Sequence, residues 1–208
     1  MIKKDREYRN LTLALADSED DGMIVRGYAS TFNEPYMLYS DDDVELWEVV
    51  DARAFDGADM SDVIMQYNHE GRVFARNRNT TLRLTVDERG LFIEADLGGT
   101  EIGRGLYEEI KGGYTDKMSF GFRVGSDDWK SERRGSKTVE TRTITGVSKV
   151  YDVSAVSIPA NDATSISVRS LADGVIERAQ AERLAAQELE LARTRIALRN
   201  KNEMMKRG

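Results

Sequence analysis

Apolar and polar residues alternate along most of the first 160 positions, a period of two that predicts strands. Leu11, Leu13 and Leu15 alternate, residues 17–22 form an acidic turn, and residues 23–32 resume with Ile24, Val25 and Tyr28, so a hairpin is expected. Residues 33–43 read as a polar loop around Pro35. Asp41, Asp42 and Asp43 stand there in a row, without the alternate spacing, glycine turn and distal glutamate of a calcium loop, and read as solvated. Residues 44–50 predict a short strand, and residues 51–60 a short helix capped by Asp51 with Phe55 on its buried side. Val63, Ile64 and Met65 form a strand that ends in the polar turn at His69 and Gly71. Residues 81–86 and 91–97 alternate around a turn at 87–90, a second hairpin.

The period then changes once. Thr100 can cap a helix over residues 101–111, with Ile102, Leu106 and Ile110 on one side, Lys111 at its end and Gly112 and Gly113 as the stop. From Met118 the strand period returns in Met118, Phe120, Phe122 and Val124. Residues 126–137 are polar apart from Trp129 and read as an exposed excursion that need not be ordered. Residues 138–144 and 147–158 predict two more strands, the second stopped by Pro159. Many short strands, few helices and no regular strand-helix alternation predict a β-rich α+β domain. Its expected form is a small closed or partly open, mainly antiparallel β-barrel with flanking helices. Beyond Gly174, residues 175–205 hold no proline or glycine. Leu184, Leu191 and Leu198 recur every seven positions there, as do Leu189 and Ile196, so a long C-terminal amphipathic helix is expected. Its spacing fits packing on its own domain, self-association with a second copy or docking on another protein. The domain organisation read from this change is residues 1–172 and a helical tail, 173–208.

Composition narrows the chemistry. The 208 residues include no cysteine, which excludes disulfides, a thiol nucleophile and thiolate metal sites, and one histidine, which argues against zinc. No metal or other cofactor is expected. Nowhere do eighteen apolar residues run together, and no apolar run follows the charged N-terminus, so a soluble, unsecreted chain without membrane contact is expected. The net charge of −7 argues against a nucleic-acid partner. It is unevenly spread: residues 173–208 carry eight Lys and Arg against six Asp and Glu, a net of +2, leaving −9 on residues 1–172. Within the tail, residues 173–190 carry −3 and residues 191–208 carry +5, a polarity suited to a charged partner.

One serine stands out against this pattern. Ser119, Gly121 and Arg123 share the face of their strand opposite Met118, Phe120 and Phe122, and the glycine should leave open space beside the hydroxyl for a substrate backbone. A serine hydroxyl is a weak nucleophile until a neutral imidazole takes its proton, and the only imidazole in the chain is His69. A solvent-facing serine on an amphipathic strand and an idle surface histidine are the plain alternatives. Arg123 could assist electrostatically, although a solvated arginine is the simpler reading.

Five stretches stand in register: Gly27-Tyr-Ala-Ser-Thr-Phe-Asn33, Asn68-His-Glu70 with Val73-Phe-Ala-Arg76 and Thr81-Leu82, Gly90-Leu-Phe-Ile-Glu-Ala-Asp96, Met118-Ser-Phe-Gly-Phe122, and Tyr151-Asp-Val-Ser-Ala-Val-Ser-Ile-Pro-Ala-Asn161. Together they resemble the prohead proteases of tailed bacteriophages, capsid-maturation serine proteases related in fold to the herpesvirus assemblins. The resemblance covers residues 20–168 and leaves the tail outside. It implies a serine endopeptidase with His69 as general base and Ser119 as nucleophile. Asp152 takes the third, orienting role, where many members carry the longer glutamate. Glu70 is the rival for that role, and a strand-end cap or an ion pair with Lys149 is the structural alternative for Asp152. The resemblance also implies the partners: the major capsid protein and its scaffolding segment, met inside the immature prohead in the host cytoplasm, with the tail removed by self-cleavage. A non-catalytic capsid-assembly or scaffolding protein that uses its helix for interaction is the rival function.

Overall fold

The computed structural model describes residues 6–15, 22–157 and 166–205. The alternating pattern becomes β1 (Glu7–Leu15), β2 (Ile24–Thr31), β3 (Tyr36–Ser40), β4 (Val44–Val50), β5 (Ile64–Tyr67), β6 (Glu70–Arg76), β7 (Leu82–Val86), β8 (Gly90–Asp96), β9 (Lys117–Arg134) and β10 (Lys137–Val156). The α-helices among the described residues are α1 (Glu101–Lys111) and α2 (Ile166–Met205).

β10 organises the sheet because both of its edges are used. One edge pairs antiparallel with β9 along almost its whole length. The other pairs parallel with two strands in succession, β4 from Thr138 to Ile144 and β5 from Asp152 to Ala155. The main path of the sheet runs β3-β4-β10-β9-β1-β2-β8-β7, with the β5–β6 hairpin branching from β10. β3 and β7 end that path and do not pair with each other, so the closed form of the expected barrel is absent among the described residues. Closure would need those two edges to meet, and the pairing of one β10 edge with both β4 and β5 branches the sheet instead.

Alternation decides what is buried. Met118, Phe120 and Phe122 of β9 and Val150, Val153 and Ala155 of β10 enter one core with Val25, Leu91 and Ile93, and the rings of Phe120 and Phe122 stack at 4.4 Å. α1 adds Leu106 and Ile110, and its Thr100 cap accepts the Gly103 N–H at 3.0 Å. A second, smaller cluster joins Leu38, Val44 and Leu46 to Val175 and Ala179 of α2.

Several expectations need correction. The polar loop at 33–43 contains β3, in which only Leu38 is buried, between exposed Met37 and half-buried Tyr39, too little for a period to register. Residues 51–60 form successive turns with i to i+3 bonds, such as Ala54 N–H to Asp51 O, in place of a helix, although Phe55 is buried as expected. The excursion at 126–137 is the ordered end of the β9–β10 hairpin. Both its faces are largely exposed, so it shows no apolar alternation, and its charges pair locally, Glu132 with Lys130 and Arg134. The two strands expected at 138–158 are one, β10, with register shifts between Ile144 and Asp152. α2 begins at Ile166 and passes through Gly174. Beyond it Leu184 and Leu191 are exposed on one line of the helix, and Leu189 and Ile196 on another, about 140° away at 100° per residue. The apolar residues therefore do not form a single stripe. The acidic turn at 17–21 and Pro159 fall outside the described residues.

Candidate active site

β5 and β6 are joined by two residues, Asn68 and His69, with φ of 49° and 59°. A two-residue hairpin turn of this hand needs positive φ at both positions, and glycine is the usual choice at the second. His69 sits there instead, at a cost of about 1–2 kcal/mol. The tip is tied to β10: Asn68 N–H donates to Ala155 O at 3.0 Å and His69 N–H to Ser154 Oγ at 3.2 Å.

The register of the sheet does the rest. β9 and β10 place Ser119 opposite Ser154 and Gly121 opposite Asp152, all on the face turned away from Phe120 and Val153. The parallel pairing of β5 with β10 then carries the chain from Tyr67 straight to the tip above that face. His69 Nε2 lies 2.7 Å from Ser119 Oγ, and His69 Nδ1 lies 2.5 Å from Asp152 Oδ1. A carboxylate can only accept, so Nδ1 carries the proton toward Asp152 and Nε2 is left as the acceptor for the serine O–H. Ser119 and Asp152 are each 1% exposed, and the His69 side chain 17%.

The space beside Gly121 is not open, contrary to expectation. A Cβ there would lie 2.5 Å from Asp152 Oδ2 and 2.9 Å from Cε1 of Tyr8. The glycine makes room for the carboxylate and for an aromatic ring of β1, which also packs on His69 with ring centroids 4.2 Å apart. Arg6, two residues before Tyr8, lays its guanidinium over the Tyr151 ring at 3.7 Å and brings Nη1 to 3.7 Å from Asp152 Oδ2. That oxygen is buried without a hydrogen bond, as is Arg6 Nε.

The remaining candidates lie elsewhere. Glu70 is exposed at the start of β6, while Nδ1 of His69 meets Asp152. Arg123 is exposed and donates from Nε to Ser148 Oγ at 2.9 Å. Lys149 pairs with Asp59. Among the described residues no group of three or more His, Cys, Asp or Glu could hold a metal ion, and no helix is long and apolar enough to cross a membrane. Sequence reasoning missed Arg6, Tyr8 and Ser154. Ser154 could have been found, since it lies two positions after Asp152 on the same strand face. Arg6 and Tyr8 depend on the β1–β9 pairing, which no local pattern announces.

Such an arrangement can pass a proton from a hydroxyl to an imidazole held by a carboxylate, the chemistry of acyl transfer. The family described as caudovirus prohead serine protease matches residues 11–175, a span that holds Ser119, His69 and Asp152 and leaves out Arg6 and Tyr8. No curated protein and no solved structure matches the chain.

Proposed function

The chain belongs to the caudovirus prohead serine proteases, a family of capsid maturation, and we propose that it is the endopeptidase that cleaves the scaffolding segment of the major capsid protein, and its own tail, inside the immature shell. Ser119 Oγ attacks the scissile carbonyl carbon while His69 Nε2 takes the hydroxyl proton. The tetrahedral intermediate collapses, the C–N bond breaks, and His69 gives that proton to the leaving amine. Water then attacks the acyl ester, again losing a proton to His69, which returns it to Ser119 as the carboxylic acid leaves. Asp152 orients the imidazole and stabilises its charged form.

The observation that carries this reading is the single imidazole bridged between Ser119 Oγ and Asp152 Oδ1 within the residues the family covers. Residues 1–172 are the protease proper. Residues 173–208 are a tail that holds it among scaffolding segments until self-cleavage near residues 165–185 releases it. The test is to co-produce the chain with its capsid protein and map new termini by mass spectrometry. Termini at the scaffold junction and near the tail are expected with the wild-type chain and none with Ser119→Ala; equal cleavage by a folded Ser119→Ala protein overturns the reading.

A further inference from the structure

Ser154 is 0% exposed on the strand face that carries Asp152. Its hydroxyl has two bonds, and both go to residues of the candidate triad. It accepts the His69 backbone N–H at 3.2 Å and donates to Asp152 Oδ1 at 3.2 Å. Asp152 Oδ1 is also the atom that receives His69 Nδ1. The three bonds close a loop: His69 N–H to Ser154 Oγ, Ser154 O–H to Asp152 Oδ1, His69 Nδ1–H to the same oxygen, and back through the histidine's own side chain. A hydroxyl can donate and accept at once, which no apolar residue of its size can do.

We propose that Ser154 is a positioning residue that holds the general base in its working geometry, an inference that rests on the protease reading above. Two mobile parts must be fixed for the imidazole to lie in line between Ser119 and Asp152. One is the backbone of His69, kept at φ 59°, where a side chain is strained and the turn gains by relaxing. The Asn68 N–H is pinned by Ala155 O, and the His69 N–H by Ser154 Oγ. The other is the Asp152 carboxylate. Its Oδ2 accepts no hydrogen bond and has Arg6 Nη1 only at 3.7 Å, so both hydrogen bonds that fix its rotation fall on Oδ1, one from the imidazole and one from Ser154. Ser154 also stands directly opposite Ser119 in the β9–β10 register, so one strand pair fixes both the nucleophile and the support of its base.

Because His69 is the only histidine in the chain, labelling histidine with nitrogen-15 gives an imidazole spectrum of one residue in the full-length protein. The wild type should show one low-field, slowly exchanging Nδ1–H resonance. In Ser154→Ala it should broaden or vanish, and Ser154→Thr, which keeps the hydroxyl, should restore it. Saturating inactivation by a small fluorophosphonate, in which Ser119 Oγ bonds to phosphorus, fluoride leaves and His69 Nε2 takes the hydroxyl proton, separates positioning from binding. Its kinact should fall about ten- to a hundredfold in Ser154→Ala, with KI changed by no more than about twofold, and Ser154→Thr should recover it. A folded Ser154→Ala protein that keeps both the resonance and kinact, and is merely less heat-stable, overturns the proposal. The wild type supplies an arm that needs no variant: the His69 amide must be protected from hydrogen exchange, and rapid exchange there also overturns it. The spectra do not depend on proteolysis, so failure of this inference and failure of the protease reading give different results.

Discussion

β1 separates two buried polar clusters that are built on opposite principles. Glu7 and Arg9 point to one side of the strand, and Arg6 and Tyr8 to the other. On the first side Arg9 forks onto Glu48, with Nε and Nη2 each 2.6 Å from a carboxylate oxygen. Arg142 reaches Glu48, Glu7 and Asp127, and the Tyr36 hydroxyl donates to Glu48. Each of these charges meets an opposite one. Burial works against the charge on Arg9, but Glu48, Tyr36 and Glu7 together outweigh that and hold its pKa well above the ordinary arginine value. On the second side the carboxylate of Asp152 has one oxygen without a hydrogen bond, and the histidine it faces sits in a strained turn. That contrast marks the Arg9–Glu48 cluster as scaffold. A network that only holds strands together satisfies all its members, whereas one poised for proton transfer keeps strain and unspent acceptor capacity at the reacting groups.

Breaking each side should therefore give different losses. The largest is chemical: His69→Ala should remove activity about as fully as Ser119→Ala, by a factor of about 10⁴ or more, and the double variant should be no worse, because the two act as a unit. Measured rates that multiply in the double variant would separate the residues. Asp152→Asn should be milder, and Glu70→Gln close to wild type. On the scaffold side Glu48→Ala should cost about 3–5 kcal/mol in urea unfolding, since it leaves two buried guanidinium groups without their shared carboxylate. A smaller effect falls on both readouts. Gly121→Ala pushes a methyl against Asp152 and Tyr8, so about 1–3 kcal/mol of stability is expected to go, together with about a hundredfold in rate from the displaced carboxylate.

These losses follow the line between what local pattern reveals and what it hides. Ser119 was legible because a two-residue period puts it opposite Met118 and Phe120, and His69 because there is no second imidazole. The α1 helix was legible from its cap and its four-residue spacing. Tyr8 over Gly121 was not, because it depends on pairing β1 with a strand more than a hundred positions away. The parallel pairing of β10 with β4 and β5 was hidden too, and with it the open form of the sheet. β3 and the hairpin arm failed for another reason: Leu38 is one buried side chain between Pro35 and Asp41, and the arm has no buried face along which a period could show.

α2 spans the same divide in miniature. Val175 and Ala179 are buried against Leu38, Val44 and Leu46, while Leu184, Leu189, Leu191 and Ile196 are exposed. Removing residues 182–208 should leave the thermal transition unchanged, and removing residues 173–208 should lower stability by about 2 kcal/mol through the lost burial of Val175. Equal transitions for both truncations would show that the small cluster contributes nothing.

The smallest effect is a pH dependence on the scaffold side. Burial pushes the Glu7 carboxyl up, but the hydrogen bond and charge of Arg142, with Arg9 beside it, outweigh this and hold it below its ordinary value of 4.5. A carboxyl with a lower pKa folded than unfolded stabilises the fold fully above the unfolded value, and the contribution fades as pH falls through the folded one. Other carboxyls are also held below their ordinary values, among them Asp41, Asp62 and Asp87, so the wild-type curve alone would not isolate it. Glu7→Gln does, because the variant keeps those groups and lacks this one. The difference in Tm between wild type and Glu7→Gln should be steady from neutral pH down to about 4.5, at about 2–4 °C, and should close toward zero below it. A difference that widens in acid would mean that Glu7 is held above its ordinary value, and that β1 is anchored by Arg9 and Glu48 alone.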